Sequence, residues 1–373
     1  MRFVFLSTMA GAPWGGSEEL WSQAALRLRQ AGEHVAVSVP WWPQLSPKIT
    51  ALARHRVELR LRSRPRTRID RVRQWFGRQP DALPEEIAWV RRQRPDLIVI
   101  SQGGNADGWE WMTCCRKAGL PYVVIIQCNY EEWWPTDVGR AELEASYHAA
   151  RAVYCVSRQN LELLERQIGS HLPNAGLVWN PSSVSSDRPP EWPTTNHVHK
   201  LACVARLEPA AKGQDLLFQV LACRHWRERP VEINLYGRGT CEKTLEQLAQ
   251  YLQLANVRFR GYAEDVRSIW AENHLFILPS RYEGLPLALV EAMLCERPAI
   301  VTDVGGSTEL CVNEETGFVA SAPTVSCLGN AMERAWARRE DWQAMGSAAR
   351  ARVERLVPRD PVGGFCRELL AGA

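Results

Sequence analysis

The sequence predicts an α/β protein built from two doubly wound parallel sheets, one in each half of the chain. Three observations predict it. Apolar runs without alternation suit strands covered on both faces, helical periodicity separates those runs, and a proline- and serine-rich break near the middle is followed by a fresh start of the β–α alternation. A length of 373 residues exceeds one ordinary core and fits two domains of about 150 to 190 residues each.

In the first half, "RFVFLS" reads as a strand, "TMAGAPWGG" as a loop, residues 17–31 as a helix and "HVAVSV" as the next strand. Ser17 is expected to be the N-cap. Glu18 and Glu19 suit the first turn, and Leu20, Ala24, Leu28 and Ala31 share a face before Gly32 ends the helix. Further strands are predicted at 96–101, 122–127 and 152–157. The stretch "NPSSVSSDRPPEWPTTN", residues 180–196, has linker composition. Beyond it, strands "KLACVARL", "VEINLYG", "VRFRG", "HLFILPS" and "AIVTD" alternate with helices at 213–228, 241–253, 264–272 and 286–295. The expected domains are 1–190 and 191–358, with a cleft between them at the carboxyl ends of both sheets.

Composition bounds the function classes. With 46% hydrophobic and 23% charged residues the chain reads as an ordinary soluble globular protein. The net charge of +3 divides unevenly, because residues 1–189 carry 24 Lys/Arg against 19 Asp/Glu. Within residues 53–80, ten arginines face only Glu58 and Asp70. Eleven cysteines at irregular spacing, without a C-x-x-C pair, suggest reduced thiols and a cytoplasmic compartment. The opening "MRFVFLSTMAGAPWGG" is too short in its apolar run for a signal sequence or a membrane span, and reads as the first strand.

The residues that carry chemistry cluster in the second half. In "PSRYEGLPLALVEAM", Glu291 shares a helical stripe with Leu287, Val290 and Leu294. Burying an unpaired carboxylate costs several kcal/mol, so Glu291 is either bonded to a neighbouring backbone or arginine, or faces a polar ligand. A carboxylate that accepts two hydroxyl hydrogens side by side would hold a diol. Gly284-Leu285-Pro286 precedes that helix and would present N–H groups to an anion. Arg206 and Lys212 follow the first strand of this half, where a fork and a point charge suit a diphosphate. Gly15 and Gly16, and the turn at Gly237 and Gly239, offer further close approaches to backbone, or are plain turns.

Together these positions resemble the retaining family 4 glycosyltransferases of the GT-B group, whose fold is two Rossmann-like domains facing across a cleft. The resemblance is strongest over about residues 200–320, in "VARLEPAAKGQD", "YGRGTCEKTLEQLAQYLQLANVRFRGYAEDV", "LFILPSRYEGLPLALVEAMLCERPAIVTDVGGSTEL" and "TGFVA". Earlier, Gly15-Gly16-Ser17-Glu18 is the clearest match. The spacing of Glu283 and Glu291 resembles the family's E-x7-E signature. The resemblance implies that Arg206 and Lys212 bind the donor diphosphate, Glu283 the transferred sugar and Glu291 the ribose hydroxyls. It also implies backbone contacts from Gly284, Leu285 and Leu287, a base framed by Gly261 to Asp265, a supporting turn at Gly237, and an approach of Gly16 from the first domain. By the same resemblance the last helix, within 359–373, packs back onto the first domain.

One departure concerns the strand ending "YVVIIQCNYEEWW", where many family members carry a histidine. Here the position is Gln127, which hydrogen-bonds but cannot transfer a proton as imidazole does. The resemblance implies front-face transfer with retention, in which the departing phosphate takes the acceptor proton, so activity is expected without the histidine. Acceptor contacts are expected from Gln102, Asn105, Gln127, Asn129 and Trp133. Sugar rings stack on indoles, and the pairs Trp41-Trp42 and Trp133-Trp134 both follow strand ends.

No D-x-D occurs and the eight histidines form no cluster, so no metal and no cofactor is expected. A G-x-S-x-G elbow is missing, and the G-x-G turn at 237–239 lacks its third glycine, which argues against a hydrolase and a nicotinamide site. No motif supports nucleic acid. The arginines of 53–78 would suit anionic lipid headgroups at the inner face of a membrane, or a solvated face. The expected partners are therefore a nucleotide-sugar donor and a glycan or lipid-linked glycan acceptor, handled by a metal-independent hexosyltransferase. A catalytically silent binding subunit and a nucleotide-sugar epimerase are the alternatives on the same fold.

Overall fold

The computed structural model describes residues 1–9, 13–62, 83–105, 107–184, 188–194 and 197–373. The chain forms two compact units, Met1–Pro181 with Asp360–Ala373, and Ser182–Arg359.

Among the described residues the first unit holds a seven-stranded sheet in the order β3-β2-β1-β4-β5-β6-β7. Its strands are β1 (Arg2–Ser7), β2 (His34–Pro40), β3 (Glu58–Arg62), β4 (Leu97–Gln102), β5 (Tyr122–Ile126), β6 (Ala152–Cys155) and β7 (Ala175–Leu177). All neighbours pair parallel. The apolar runs are buried along their length, as Phe3–Leu6 and Leu97–Ile100 show, because helices on both faces leave no solvated side to alternate toward. The helix Pro361–Gly372 belongs to this unit and packs on the helix Glu19–Gln30. There Asp360 caps its N-terminus at Gly363 N, 2.8 Å, and pairs with Arg27 at 2.7 Å.

The second unit holds a six-stranded parallel sheet ordered β10-β9-β8-β11-β12-β13, again among the described residues. Its strands are β8 (His199–Val204), β9 (Val231–Tyr236), β10 (Val257–Gly261), β11 (Leu275–Leu278), β12 (Ala299–Thr302) and β13 (Gly317–Ala320). Both sheets therefore run outward from their first strand, then jump back to its other side. That reversal places a switch point beside β1 and another beside β8, where chain leaving two adjacent strands diverges and leaves room for a ligand.

Three expectations change. Ser17 is not a cap: a 3-10 turn at Gly16–Glu18 opens the helix, with Glu18 N bonded to Gly15 O, and Ser17 Oγ donates to Met9 Sδ at 2.8 Å. The helix expected over 213–228 is divided, Gln214–Leu221 and Arg224–Glu228, because Cys223 is extended. The strand β3 lies inside the arginine-rich stretch, where charge density hid its alternation. Two of its arginines turn inward, Arg60 onto Glu86 and Arg62 onto Ser38 and the Trp111 ring. The remainder of the proposed lipid-facing stretch, residues 63–78, lies outside the described residues.

Candidate functional site

At the switch point of the second unit, the loops after β8 and β11 touch. Gly213 has φ +64°, and a Cβ there would lie 1.9 Å from Pro279 O, so only glycine lets the two loops meet. Arg281 clamps them: its N–H donates to Ala211 O at 2.8 Å, and its guanidinium binds Asp215 bidentately at 2.7 and 2.8 Å. This frame joins two of the expected donor residues directly. Lys212 Nζ lies 2.6 Å from Glu283 Oε1, and Ser280 Oγ donates to the same oxygen at 2.6 Å. Glu283 is 7% exposed, so the cation and the hydroxyl offset the cost of burying its charge. Behind it, Gly305 at φ +52° would place a Cβ 2.1 Å from Glu283 O, and Gly306 N donates to Gly284 O at 2.7 Å.

Arg206 is half-exposed and pairs with Glu208 at 3.0 Å, while its carbonyl accepts from Gln214 Nε2 at 2.8 Å. Leu285 is buried, Leu287 partly so, and Pro286 caps the helix Leu287–Leu294. The opening N–H groups of that helix, at Leu287 and Ala288, have no carbonyl one turn behind them. Glu291 projects from the same helix, 8% exposed, and accepts from Ser183 Oγ at 2.6 Å and Ser183 N at 3.3 Å. Gly237 N bonds to Gly261 O at 2.8 Å, bringing two more expected residues together. Asp265 caps the helix Val266–Glu272 through Arg267 N at 2.9 Å. Between Gly261 and Asp265 the Tyr262 ring is exposed.

The first unit's switch point carries acids of a different kind. Gly16 lies in the 3-10 turn, and Glu18 points back under it to accept from Ser7 Oγ at 2.8 Å. Burial pushes the Glu18 carboxyl up to about 7, against the pull of Ser7 and the Arg62 charge. Arg62 donates to Ser7 O, and to Ser38 O at 2.8 Å; its own burial lowers it to about 10. Across β4, Asp107 is pushed up to about 6 by burial, with Glu110 adding repulsion. A Cβ on Gly103 would lie 3.0 Å from Asp107 Oδ2 and 3.4 Å from Met9 Cα, and one on Gly15 would lie 3.0 Å from Met9 Cε. Asp107, Met9 and the Gly15–Gly16 turn therefore share one rim.

The expected acceptor amides are engaged by other residues of the first unit. Gln127 exchanges both amide groups with Asn180, at 2.7 and 3.3 Å. Asn105 donates to Gln167 Oε1 at 2.6 Å and accepts from Tyr130 N at 3.2 Å. Asn129 N bonds Asn160 Oδ1 at 2.6 Å, and Gln102 donates to Asp107 O while accepting from Tyr147 at 3.2 Å. All four are buried; Asn105 and Asn129 pin the loop after β5, and Gln102 the loop after β4. Asn129 Oδ1 is buried with no hydrogen-bond partner among the described residues. Trp133 packs against the core, while Trp134, 60% exposed, offers its ring to solvent, as does Trp41.

Arg62, Asp107 and Ser183 escaped the sequence reading. Glu18 entered it as a first-turn acid and as the end of the Gly15-Gly16-Ser17-Glu18 match, with nothing to mark its bond to Ser7; Ser183 sat within linker composition. Among the described residues no three His, Cys, Asp or Glu side chains gather as a metal-ligand set, and no helix is long and apolar enough to cross a membrane.

Comparison with known proteins bears on both units. Residues 14–180 match the family described as Glycosyltransferase Family 4, and residues 198–338 the one described as Glycosyl transferases group 1. A Mycolicibacterium smegmatis GDP-mannose-dependent alpha-(1-6)-phosphatidylinositol monomannoside mannosyltransferase is 28% identical over 72% of this chain and 76% of its own length. The Salmonella typhi Vi polysaccharide biosynthesis protein VipC/TviE is 39% identical over 26% of this chain and 17% of its own. Among solved structures, Anabaena HepE in complex with UDP-glucose superposes over the full length of both chains with a TM-score of 0.73 at 17% identity, which shows the shared fold.

Proposed function

Because the chain belongs to the family 4, group 1 glycosyltransferases, we propose that it is a retaining, metal-independent hexosyltransferase working from a nucleoside-diphosphate sugar to a glycan or lipid-linked glycan. The observation that carries this reading is the buried Lys212–Glu283 pair at the second switch point, beside the helix start at Leu287. Lys212 has three donors and gives one to Glu283, which aims the ammonium at the loop mouth; the others suit a diphosphate. Arg206, half-exposed, adds a second cation. Charge that develops on the leaving diphosphate is met by groups already in position. In the transfer, the bond from the anomeric carbon to the diphosphate oxygen breaks, the acceptor oxygen bonds to the same face, and the acceptor proton passes to the departing phosphate. Gln127, locked to Asn180, carries no proton in this scheme.

Glu291 would hold the ribose hydroxyls and Glu283 the sugar. The lipid acceptor in the mycobacterial relative's name and the polysaccharide in the Salmonella one support the acceptor class. Eleven cysteines without a disulfide support a reducing, cytoplasmic setting.

The test is a panel of UDP-, GDP- and ADP-sugars, read by melting temperature and by NMR of the product. Expected are a rise in melting temperature with one donor and transfer with the anomeric configuration kept. Glu291→Gln should weaken that nucleotide by about tenfold with little loss of stability. No binding by any donor, or conversion of the donor alone to an epimer, overturns the reading.

A further inference from the structure

We infer that Ser183 is a positioning residue for Glu291, aiming its carboxylate at the ribose diol of a nucleoside diphosphate; the inference rests on the donor reading above. Two donors of one residue converge on one oxygen, Oγ at 2.6 Å and the backbone N–H at 3.3 Å from Glu291 Oε1. A single bond would leave the carboxylate free to swing about it. Two donors from a backbone-anchored residue, arriving at one oxygen from different directions, hold that oxygen's place more firmly than one.

The helix that carries Glu291 cannot do this for itself. Leu289, Val290, Ala292, Met293 and Leu294 are all buried and apolar, so no neighbour on that helix offers a donor side chain. The hold comes instead from the chain's entry into the second unit, 108 residues earlier in sequence. That entry is itself anchored: Val184 is buried, and its N–H bonds to Ser182 Oγ at 3.0 Å. Ser183 is exposed while Glu291 is buried, so the pair is reached by a ligand from the serine side. A serine hydroxyl that donates to a carboxylate still has lone pairs to accept from a ligand hydroxyl. Serine and glutamate together thus offer a diol matched acceptors in fixed positions.

The test separates positioning from plain structure through the ligand. UDP, GDP and ADP are titrated calorimetrically, and the tightest is compared with its 2′,3′-dideoxy counterpart, which has no diol to present. Ser183→Ala should weaken the ribonucleotide about tenfold and the dideoxynucleotide less than twofold, as loss of a charge-assisted bond predicts. Ser183→Thr should restore ribonucleotide binding. Should alanine melt prematurely, Ser183→Cys, of similar size and a weak donor, reads the same loss. Equal weakening of both nucleotides, no weakening, or tighter binding by a serine that merely stood in the diol's place would each overturn the inference. Wild-type protein that binds neither nucleotide, or both equally, or Glu291→Gln without effect, sinks the donor reading as well; Glu291→Gln weakening alone sinks only the role of Ser183.

Discussion

At the switch point of the second unit a buried carboxylate meets an ammonium 2.6 Å away; at that of the first, Glu18 meets a hydroxyl at 2.8 Å while the Arg62 guanidinium is turned onto Ser7 and Ser38. The strand order is the same in both sheets apart from the added edge strand β7 in the first. What differs is which side chain stands beside the acid. Direct pairing in the second unit sets the Lys212 ammonium beside the acid. In the first unit burial dominates, and Glu18 and Asp107 hold protons into the near-neutral range, at about 7 and about 6. One rim holds an ion pair, and the other holds two acids whose protons are retained by burial.

The largest break in that contrast comes from Lys212→Ala. Turnover should fall by about 10² to 10³ if the ammonium stabilises the leaving diphosphate. Stability should drop by about 3 kcal/mol, because Glu283 is left buried without its cation. The two losses separate in Lys212→Ala with Glu283→Gln, where the stranded charge is gone. Thermal melts should recover while donor turnover stays low. Recovery of both would remove Lys212 from the chemistry.

Next in size is the pH dependence of each unit. Glu18 binds its proton more tightly folded than unfolded, so its contribution is fully present below about pH 4.5 and is lost as pH rises through about 7. The effect is at most about 3 kcal/mol. Glu18→Gln, which imitates the protonated acid, should stabilise the first unit by about 2 kcal/mol at pH 8 and by little at pH 4.5. In the second unit the sign is reversed. His274, buried against His199 and Trp192, is held down to about 4, so stability there is lost as pH falls from about 6.5 to about 4. Hydrogen exchange, corrected for intrinsic rates, should show β4 opening more readily at pH 8 and β11 more readily at pH 5. Parallel trends in both strands would refute the assignment of these two groups.

How much of this was legible in the sequence follows the same division. In the second unit the site is local: Glu283, Gly284, Leu287 and Glu291 lie on one loop and helix, and Lys212 ends the one-turn helix Pro209–Lys212 that follows β8. Spacing and residue type carry such a site. The first unit's rim is built from residues that meet only in the fold, Ser7 with Glu18, Arg62 with Ser38, Gly103 with Met9. Nothing in a run of arginines marks Arg62 as the one that turns inward, half-buried, since its partners come from neighbouring strands. The amides were read as ligand groups because they follow strand ends, yet a buried loop needs partners for its own polar groups. Gln167 shows the demand: its Nε2 holds Tyr130 O at 2.8 Å and Trp133 O at 2.7 Å.

The smallest effect tests the surface that those amides hold in place. Trp134 exposes most of its ring, and its indole N–H bonds only as far as Glu131 O, 3.1 Å away in the same loop. Trp134→Ala should therefore change stability by less than about 0.5 kcal/mol, as expected for an exposed side chain. If the ring stacks on an acceptor sugar, KM for the acceptor should rise about fivefold, about 1 kcal/mol, with donor KM unchanged. Gln167→Ala acts on the same loop by a different route, since it removes a donor from Tyr130 O and Trp133 O and the acceptor of the buried Asn105 amide, and costs about 2 kcal/mol of stability. A tryptophan variant that raised donor KM as well, or lowered stability as much as the glutamine variant, would show that the ring supports the loop rather than meeting a sugar.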